Sequence, residues 1–293
     1  MTKIAFLGTG LLGSAFVEAA AKRGEEITVW NRTVAKARAL EGLGVRVASS
    51  PADAVNGVAR VHLVLKDDGV VEEVIAAMRS GLEAKTVVVD HTTTQPARTA
   101  IRAQRLALDG VRYLHCPVFI GPDAARKEKG TILASGPKAL FDEVRPSLQR
   151  MAEKVEYLGE RPDLAAAYKL CGNAFIIGIN ALVADVLSVA TGAQVNASEA
   201  LRVVEMFNPS ATIAGRGKKM TARDFVPTFE LTMARKDVRL MLETAGSLPL
   251  STLHGIAERM DVLISEGLGD KDLAIMGRDA VTPTVPPAVR SAR

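Results

Sequence analysis

The chain has 293 residues, of which 48% are hydrophobic and 24% charged, as in ordinary globular proteins with room for two domains. Its net charge of +4 is too weak and dispersed to indicate nucleic-acid binding, although it suits a phosphorylated cofactor and an acidic substrate. Cys116 and Cys171 form no metal-ligand pattern, so we expect no metal site and two buried thiols. The absence of a leader-like N-terminus, and an apolar stretch at 174–184 too short to span a bilayer, predict a cytoplasmic protein without a membrane partner.

A glycine-rich turn follows the first predicted strand. Gly8, Gly10 and Gly13 lie between an apolar run at 4–7 and a helical stretch at 14–22, and a second strand at 26–30 completes a βαβ unit. This is the dinucleotide-binding pattern, in which the glycines allow a tight turn, close approach of a pyrophosphate, and packing of helix on strand. The phosphates would bind the free N–H groups around Leu11 and Leu12. An ordinary glycine turn is the alternative.

The residues after the second strand indicate which dinucleotide binds. Asn31, Arg32 and Thr33 stand there, with Lys36 one turn later and no acidic residue among them. An NAD site places a carboxylate at this point, which would repel a 2′-phosphate, whereas a guanidinium binds one through two hydrogen bonds. The sequence therefore predicts NADP(H) rather than NAD. The alternative is that Arg32 is a solvated loop residue.

Strand-like and helical runs alternate through the first half of the chain. The predicted strands are residues 4–7, 26–30, 45–47, 61–65, 86–89, 112–114, 132–135 and 155–157. The predicted helices include residues 14–22, 70–78, 96–108 and 138–151. This alternation predicts an α/β fold of the Rossmann type, with a doubly wound and mostly parallel sheet, over residues 1–161.

The second half of the chain, residues 162–293, reads as an all-α domain. Asp163 is a predicted N-cap for a long helix that runs to about Thr191, and further helices are predicted at 198–205, 228–245 and 251–266. Residues 281–293 contain three prolines and little hydrophobic mass, so a terminal tail with little fixed structure is expected there.

Ligands of an open parallel sheet bind beyond the carboxyl ends of its strands. Leu65 and Lys66 stand at such an end, and so do Thr92 and Thr93, whose hydroxyls could hydrogen-bond a nicotinamide carboxamide or a substrate. The alternative is that one threonine caps the helix beginning at Pro96.

A polar pair interrupts the otherwise apolar long helix. Lys169 and Asn173 are four residues apart and therefore share one helix face. Burial lowers the pKa of a lysine, which makes it a usable acid or base near neutral pH. The alternative is that Lys169 extends its ammonium into solvent.

With these motifs the chain resembles the β-hydroxyacid dehydrogenases, a group that contains 3-hydroxyisobutyrate dehydrogenase, tartronate semialdehyde reductase and 6-phosphogluconate dehydrogenase. The resemblance covers nearly the whole chain and rests on four motifs in order: the glycine turn with its Val29-Trp30-Asn31-Arg32-Thr33 continuation, Asp90-x-Thr92-Thr93-x-x-Pro96, Lys169-x-x-x-Asn173, and Lys236-Asp237-Val238-Arg239-Leu240.

The resemblance implies an NADP(H)-dependent oxidoreductase that interconverts a small aldehyde or ketone, including acid semialdehydes, and its alcohol or hydroxyacid. Lys169 would be the general acid and base, and Asn173 would hold the same substrate oxygen. Lys236 would lie near the nicotinamide, where its charge would lower the pKa of Lys169. The helical domain would bind substrate and form a homodimer or homotetramer.

One loop departs from the family pattern. The family reads Asp-x-Pro-Val-Ser-Gly-Gly, where the Ser-Gly-Gly part binds the substrate carboxylate. Here the loop reads His115-x-Pro117-Val118-Phe119-Ile120-Gly121. We therefore expect Val118 to Gly121 to form the substrate wall for a less polar or differently anchored carbonyl compound. Arg126 or Lys127 could supply an alternative anion contact, with a solvated loop as the other interpretation.

Two other functions remain open from the sequence. An imine reductase shares this architecture, but such enzymes usually have Asp or Tyr where Lys169 stands. A non-catalytic NADPH-binding protein would fit the altered loop, whereas the retained Lys169, Asn173 and Lys236 favour an enzyme.

Overall fold

The computed structural model describes residues 2–281. The chain divides into two compact units, Met1–Ala174 and Phe175–Arg293. The domain boundary predicted between residues 161 and 162 falls just before the long helix Leu164–Gly192, and it stays a prediction.

A six-stranded parallel sheet forms the centre of the first unit, as predicted. Its strands are β1 Lys3–Leu7, β2 Glu26–Trp30, β3 Arg46–Val47, β4 Arg60–Leu63, β5 Val87–Asp90 and β6 Arg112–His115. They lie in the order β3-β2-β1-β4-β5-β6, and every neighbouring pair is parallel. The direction of winding reverses between β1 and β4, which opens a crevice at the carboxyl ends of these two strands.

Three further strands form a separate small sheet in the first unit. They are β7 Val118–Phe119, β8 Thr131–Ala134 and β9 Lys154–Tyr157. β7 pairs with β8 in antiparallel fashion, and β8 pairs with β9 in parallel fashion. The sequence pattern locates β8 and β9 but does not separate them from the main sheet, and it misses β7, which has only two residues.

Helices cover both faces of the main sheet. Those of the first unit are α1 Leu11–Lys22, α2 Val34–Arg38, α3 Pro51–Val55, α4 Asp68–Met78, α5 Pro96–Leu108, α6 Pro122–Arg126 and α7 Lys138–Leu148. Alternate residues of β1 enter opposite cores: Ile4 and Phe6 pack in one cluster, Ala5 and Leu7 in the other. Because both faces of the strand are buried, it reads as a continuous apolar run in the sequence.

The long helix α8, Leu164–Gly192, begins in the first unit and ends in the second. Among residues 2–281 it is the one helix that is long and apolar enough to cross a membrane by length and composition, with a mean hydropathy of 1.9. Residues 174–184, which by themselves are too short to span a bilayer, are thus part of this longer apolar helix. Core helices of globular proteins can have the same length and composition.

The second unit is helical over its described residues, as predicted. After α8 come α9 Ala197–Ala200, α10 Val203–Met206, α11 Pro209–Ala222, α12 Leu231–Ala245 and α13 Leu253–Ser265. The helix predicted at 198–205 is two short helices, and α11 was not predicted. The buried Asp185 accepts hydrogen bonds from the backbone N–H groups of Thr252 and Leu253 at 2.8 and 2.9 Å, which ties α8 to the start of α13. The predicted tail lies outside the described residues, apart from Val281.

The two cysteines differ in environment. Cys116 is buried, and burial raises the pKa of its thiol well above the ordinary value. Cys171 is exposed on α8, so the expectation of two buried thiols is wrong for this residue. The reason is that much of the apolar surface of α8 is not covered within one chain.

Candidate active site

A cavity of about 710 Å³ lies at the carboxyl ends of the main strands, within the first unit. Most of the predicted ligand-binding residues line it, namely Gly8, Gly10, Leu11, Leu12, Gly13, Asn31, Arg32, Thr33, Leu65, Lys66, Thr92, Thr93, Val118, Ile120 and Lys169. Residues at or just beyond the carboxyl ends of β1, β2, β4 and β5 thus meet residues of β7 and α8 around one space, whose volume is typical of sites for small molecules and cofactors.

The glycine turn requires residues without side chains, because two of its glycines pack directly against backbone oxygens. Gly8 has a φ of +102°, and a Cβ there would lie 2.2 Å from the carbonyl oxygen of Val64. A Cβ on Gly13 would lie 1.9 Å from the carbonyl oxygen of Gly8. Gly10 precedes α1 without a side-chain cap, so the first N–H groups of the helix stay free for an anion. This turn therefore fits the pyrophosphate of a dinucleotide.

Positive charge collects where β2 meets the cavity. Asn31 accepts a hydrogen bond from the Thr9 backbone N–H at 3.0 Å and so joins β2 to the glycine turn. Next to it the exposed guanidinium of Arg32 lies 3.9 Å from the carboxylate of Glu73, also exposed, and Lys36 lines the same end. A loose, solvated ion pair of this kind contributes little, so Arg32 is available to a bound phosphate.

A buried carboxylate holds the loop after β5. Asp90 accepts hydrogen bonds from the Thr92 N–H at 2.9 Å and the Tyr113 hydroxyl at 2.7 Å, and the Arg102 guanidinium lies 3.8 Å away. The Thr92 hydroxyl in turn accepts from the backbone N–H of Leu65 at 3.1 Å. Asp90 thus fixes two loops that line the cavity.

None of the threonines in the loop after β5 caps helix α5, which was the alternative role for Thr92 or Thr93. Gln95 occupies the N-cap position of α5, without a side-chain cap hydrogen bond. The Thr94 hydroxyl instead contacts the Thr99 hydroxyl at 2.7 Å and the His115 ring at 3.1 Å.

Two buried histidines form a hydrogen-bonded chain that reaches the cavity. Arg60 donates to His62 Nε2 at 3.0 Å, His62 Nδ1 lies 2.9 Å from His91 Nε2, and His91 Nδ1 lies 2.7 Å from the carbonyl oxygen of Cys116. Because a carbonyl only accepts, each ring must donate from Nδ1 and accept at Nε2, which fixes both tautomers. Burial lowers the pKa of His91 to about 4, so the ring that lines the cavity is neutral.

Lys169 of α8 lines the same cavity as Arg32. Its Nζ donates to Asn173 Oδ1 at 2.8 Å and lies 4.3 Å from the centre of the Phe119 ring. Burial lowers the pKa of this ammonium below its ordinary value. The side chain is half-buried in the cavity wall rather than extended into bulk water. It provides a proton donor with few competing partners.

Three predicted substrate residues lie beside the cavity rather than in its wall. Asn173 and Phe119 both contact Lys169, whereas Gly121 precedes α6. Lys236 belongs to the second unit, where its Nζ lies 2.8 Å from Asp237 Oδ1, and its position at the nicotinamide stays a prediction.

The alternative anion contacts do not belong to the cavity wall. Arg126 donates to Glu18 at 2.7 Å and to Asp123 at 3.1 Å, and Lys127 is exposed. Among residues 2–281, no group of three or more His, Cys, Asp or Glu side chains is arranged to hold a metal ion.

Sequence reasoning missed several lining residues: Trp30, Pro51, Val64, Val70, Glu73, Val74, Ala77 and His91. Val70, Val74 and Ala77 follow helical spacing on one face of α4, but the same spacing predicts a helix face packed on a core. His91 shows no local signal, because its partner His62 comes from another strand.

Comparisons with known proteins agree with this geometry. Residues 3–159 match the family model for the NAD binding domain of 6-phosphogluconate dehydrogenase, and residues 164–278 match the model for the NAD-binding part of NADP-dependent 3-hydroxyisobutyrate dehydrogenase.

Two proteins of Arabidopsis thaliana are similar in sequence. Glyoxylate/succinic semialdehyde reductase 1 is 28% identical over 93% of this chain and 96% of its own length. The chloroplastic reductase 2 is 28% identical over 92% of this chain and 77% of its own. An imine reductase from Myxococcus stipitatus in complex with NADP+ has a similar fold, with a TM-score of 0.84, 20% identity, and coverage of 94% of this chain and 99% of that chain.

The structure has a glycine turn, a cavity and a hydrogen-bonded pair formed by Lys169 and Asn173. Both halves of the chain also match models of one family of dehydrogenases. The protein is an NAD(P)-dependent oxidoreductase that acts on CH–OH groups, and it belongs to the β-hydroxyacid dehydrogenase family.

Proposed function

We propose that this protein is an NADP(H)-dependent reductase of small aldehydes or ketones, with Lys169 as the general acid. The observation that carries this proposal is the half-buried Lys169 ammonium, which lines the cavity and is held by Asn173 at 2.8 Å. The names of the Arabidopsis relatives make glyoxylate and succinic semialdehyde the first substrates to test.

The roles of the protein groups follow from their contacts. A bound NADPH supplies the hydride. Lys169 donates a proton to the substrate oxygen, and in the reverse direction it accepts one from the hydroxyl. The Oδ1 atom of Asn173 is occupied by Lys169, so its Nδ2 atom is left to donate to the same substrate oxygen. Partial burial of Lys169 favours proton exchange nearer to neutral pH than for a solvated lysine.

Replacement of Lys169 tests this role. We expect Lys169→Ala to lower kcat/KM for aldehyde reduction by about 10²- to 10⁴-fold, the usual contribution of a general acid. NADPH affinity, measured by nucleotide fluorescence, should change by less than about threefold, because the glycine turn is untouched. Lys127→Ala, an exposed lysine outside the cavity, is the control and should retain activity. Full activity of Lys169→Ala would refute the proposal.

The preference for NADP(H) is proposed from the charges at the β2 end of the cavity. Arg32, Lys36 and Lys66 line the cavity together with a single acid, Glu73. We expect Arg32→Ala to lower the ratio of kcat/KM for NADPH to that for NADH by at least about tenfold, equivalent to about 1.4 kcal/mol. Arg38→Ala is the matched control, since Arg38 is exposed on α2 outside the cavity wall. Tighter use of NADH by the unmodified protein would contradict the preference.

We further propose that α8 mediates a homodimer or homotetramer. Phe175 and Ile177 are 55% and 68% exposed in the single chain, amid further exposed apolar side chains of the same helix. Light scattering should report a dimer or tetramer, and Ile177→Glu should shift it towards the monomer. Leu108→Glu, at an 89% exposed apolar position on α5, should not. A monomeric unmodified protein would refute this.

We also propose a cytoplasmic location, because an exposed unpaired thiol such as Cys171 suits a reducing compartment. Cell fractionation would test it, and recovery in an oxidising compartment would contradict it.

A further inference from the structure

The wall around Lys169 differs from what a carboxylate-bearing substrate needs. The ring of Phe119 lies against the ammonium, with Nζ 4.3 Å from the ring centre. Val118 and Ile120, on either side of Phe119, line the cavity together with Lys169. A substrate oxygen in hydrogen-bond distance of Nζ would lie within about 7 Å of the ring centre. The group attached to the carbonyl carbon therefore meets the apolar side chains of Val118 and Ile120 in the cavity wall, with the Phe119 ring beside the cavity against Lys169.

The face of an aromatic ring carries partial negative charge. It attracts the Lys169 ammonium, which is the cation–π contact seen here, and repels an anion placed against it. A carboxylate against the ring would lose water, and Lys169 beside it already donates to Asn173. Arg126, one of the two alternative anion contacts suggested by the sequence, donates to Glu18 at 2.7 Å.

Gly172 of α8 makes room for the ring. A Cβ at this position would lie 2.2 Å from Cζ and 2.6 Å from Cε1 of Phe119, closer than any real contact. The ring tip therefore rests on the helix backbone one turn from Lys169. Gly172 and Phe119 therefore fit together, because the ring occupies the space that a side chain at position 172 would fill.

On the basis of the proposed reductase function, we propose that Phe119, seated on Gly172, makes this site select carbonyl compounds with apolar substituents over those with a carboxylate. The substrate class is therefore aliphatic or aromatic aldehydes and ketones. Phe119 determines specificity, and Gly172 acts as a positioning residue because it sets where the ring lies.

The test compares two aldehydes of similar length, pentanal and succinic semialdehyde, with NADPH as the reductant. We expect the unmodified protein to have a kcat/KM at least about tenfold higher for pentanal. Phe119→Ser should lower this ratio by about tenfold or more, whereas Phe119→Leu should retain it within about threefold, since an apolar wall remains. A general defect in folding would lower both rates and leave the ratio unchanged.

Gly172→Ala moves the ring without removing it. The substitution favours the helix by about 1 kcal/mol, so the variant should fold, while its methyl group displaces the flexible end of Phe119. We expect it to lower the pentanal preference by about tenfold, because the displaced ring no longer lies against the Lys169 ammonium and leaves it open to a carboxylate. Gly178→Ala in the same helix is the matched control, because a Cβ there meets nothing within 4 Å, and it should leave the ratio unchanged.

Binding without turnover provides a second measurement. Pentanamide should raise the melting temperature of the NADP+-loaded protein more than succinate does, and Gly172→Ala should remove this difference. Preference of the unmodified protein for succinic semialdehyde, or an unchanged ratio in both Phe119→Ser and Gly172→Ala, would overturn the inference while the reductase function stands. Failure to reduce any aldehyde, ketone or imine would instead overturn the proposed function, and the inference with it.

Discussion

Arg102 is a buried cation whose removal should leave one buried carboxylate without a positive charge beside it. Its side chain is wholly buried and contacts Asp68 at 2.6 Å, Glu72 at 2.7 Å and Asp90 at 3.8 Å. Asp68 and Glu72 retain 13% and 44% exposure, so water can solvate them if Arg102 is lost. Asp90 has 0% exposure and keeps only hydrogen bonds from its neighbours, such as the Tyr113 hydroxyl.

We therefore expect Arg102→Met to lower the free energy of unfolding of the first unit by about 3–5 kcal/mol, the usual cost of removing one partner of a buried ion pair. The matched control is Arg105→Met on the same helix. Arg105 is 49% exposed and pairs with Glu72, so its replacement should cost about 0–1 kcal/mol. Urea unfolding followed by the fluorescence of Trp30, the single tryptophan and a residue of the first unit, measures both values.

A second substitution tests the cause. Asp90→Asn removes the stranded charge, so in the Arg102→Met background it should cost less than it does alone, with a coupling energy of about 1–3 kcal/mol. If Arg102→Met and Arg105→Met are equally destabilising, or if the Asp90 and Arg102 substitutions are additive, the reasoning from buried charge is refuted.

Three further predictions follow from other contacts. Gly13→Ala should abolish dinucleotide binding in a fluorescence titration, because its Cβ would lie 1.9 Å from a backbone oxygen, whereas Gly42→Ala, where a Cβ meets nothing within 4 Å, should bind normally. The folded pKa of His91, about 4, lies below its ordinary value of 6.5, so unfolding takes up a proton as the pH falls. The free energy of unfolding, measured by Trp30 fluorescence, should therefore fall by about 2 kcal/mol between pH 8 and pH 5 because of this residue. A free energy that does not change with pH would contradict the prediction. Asp185→Ala should destabilise the second unit by about 2–4 kcal/mol in calorimetry, because three backbone N–H groups lose their acceptor, and no loss would contradict it.

The parallel sheet could be predicted because its signals are local. β1 and β5 are continuous apolar runs, and the glycine turn fixes the first crossover. By contrast, α11 has no buried residue in the described structure, so it lacks the apolar stripe by which a helix is recognised. Its start signals, Asn208 as N-cap and Pro209 in the first turn, were present in the sequence.

In the active site, too, local sequence patterns predict one contact and do not predict another. Lys169 and Asn173 are one helical turn apart, so spacing alone places them together, and the structure has them hydrogen-bonded. Phe119 and Gly172 come from a two-residue strand and a helix far along the chain, and no local pattern predicts their contact. The loop sequence indicated a change in polarity at Phe119, but only the fold shows which residue receives the ring.

The different environments of the two cysteines make the chain suitable for selective labelling. In the single chain Cys171 is exposed, whereas Cys116 is buried and its thiol has a raised pKa, so a maleimide dye should attach at a single position of a monomeric form such as the Ile177→Glu variant. Cys171 lies two residues beyond Lys169, which places it about 200° around the axis of α8. A fluorophore there would report ligand arrival from the far side of the helix without blocking the cavity.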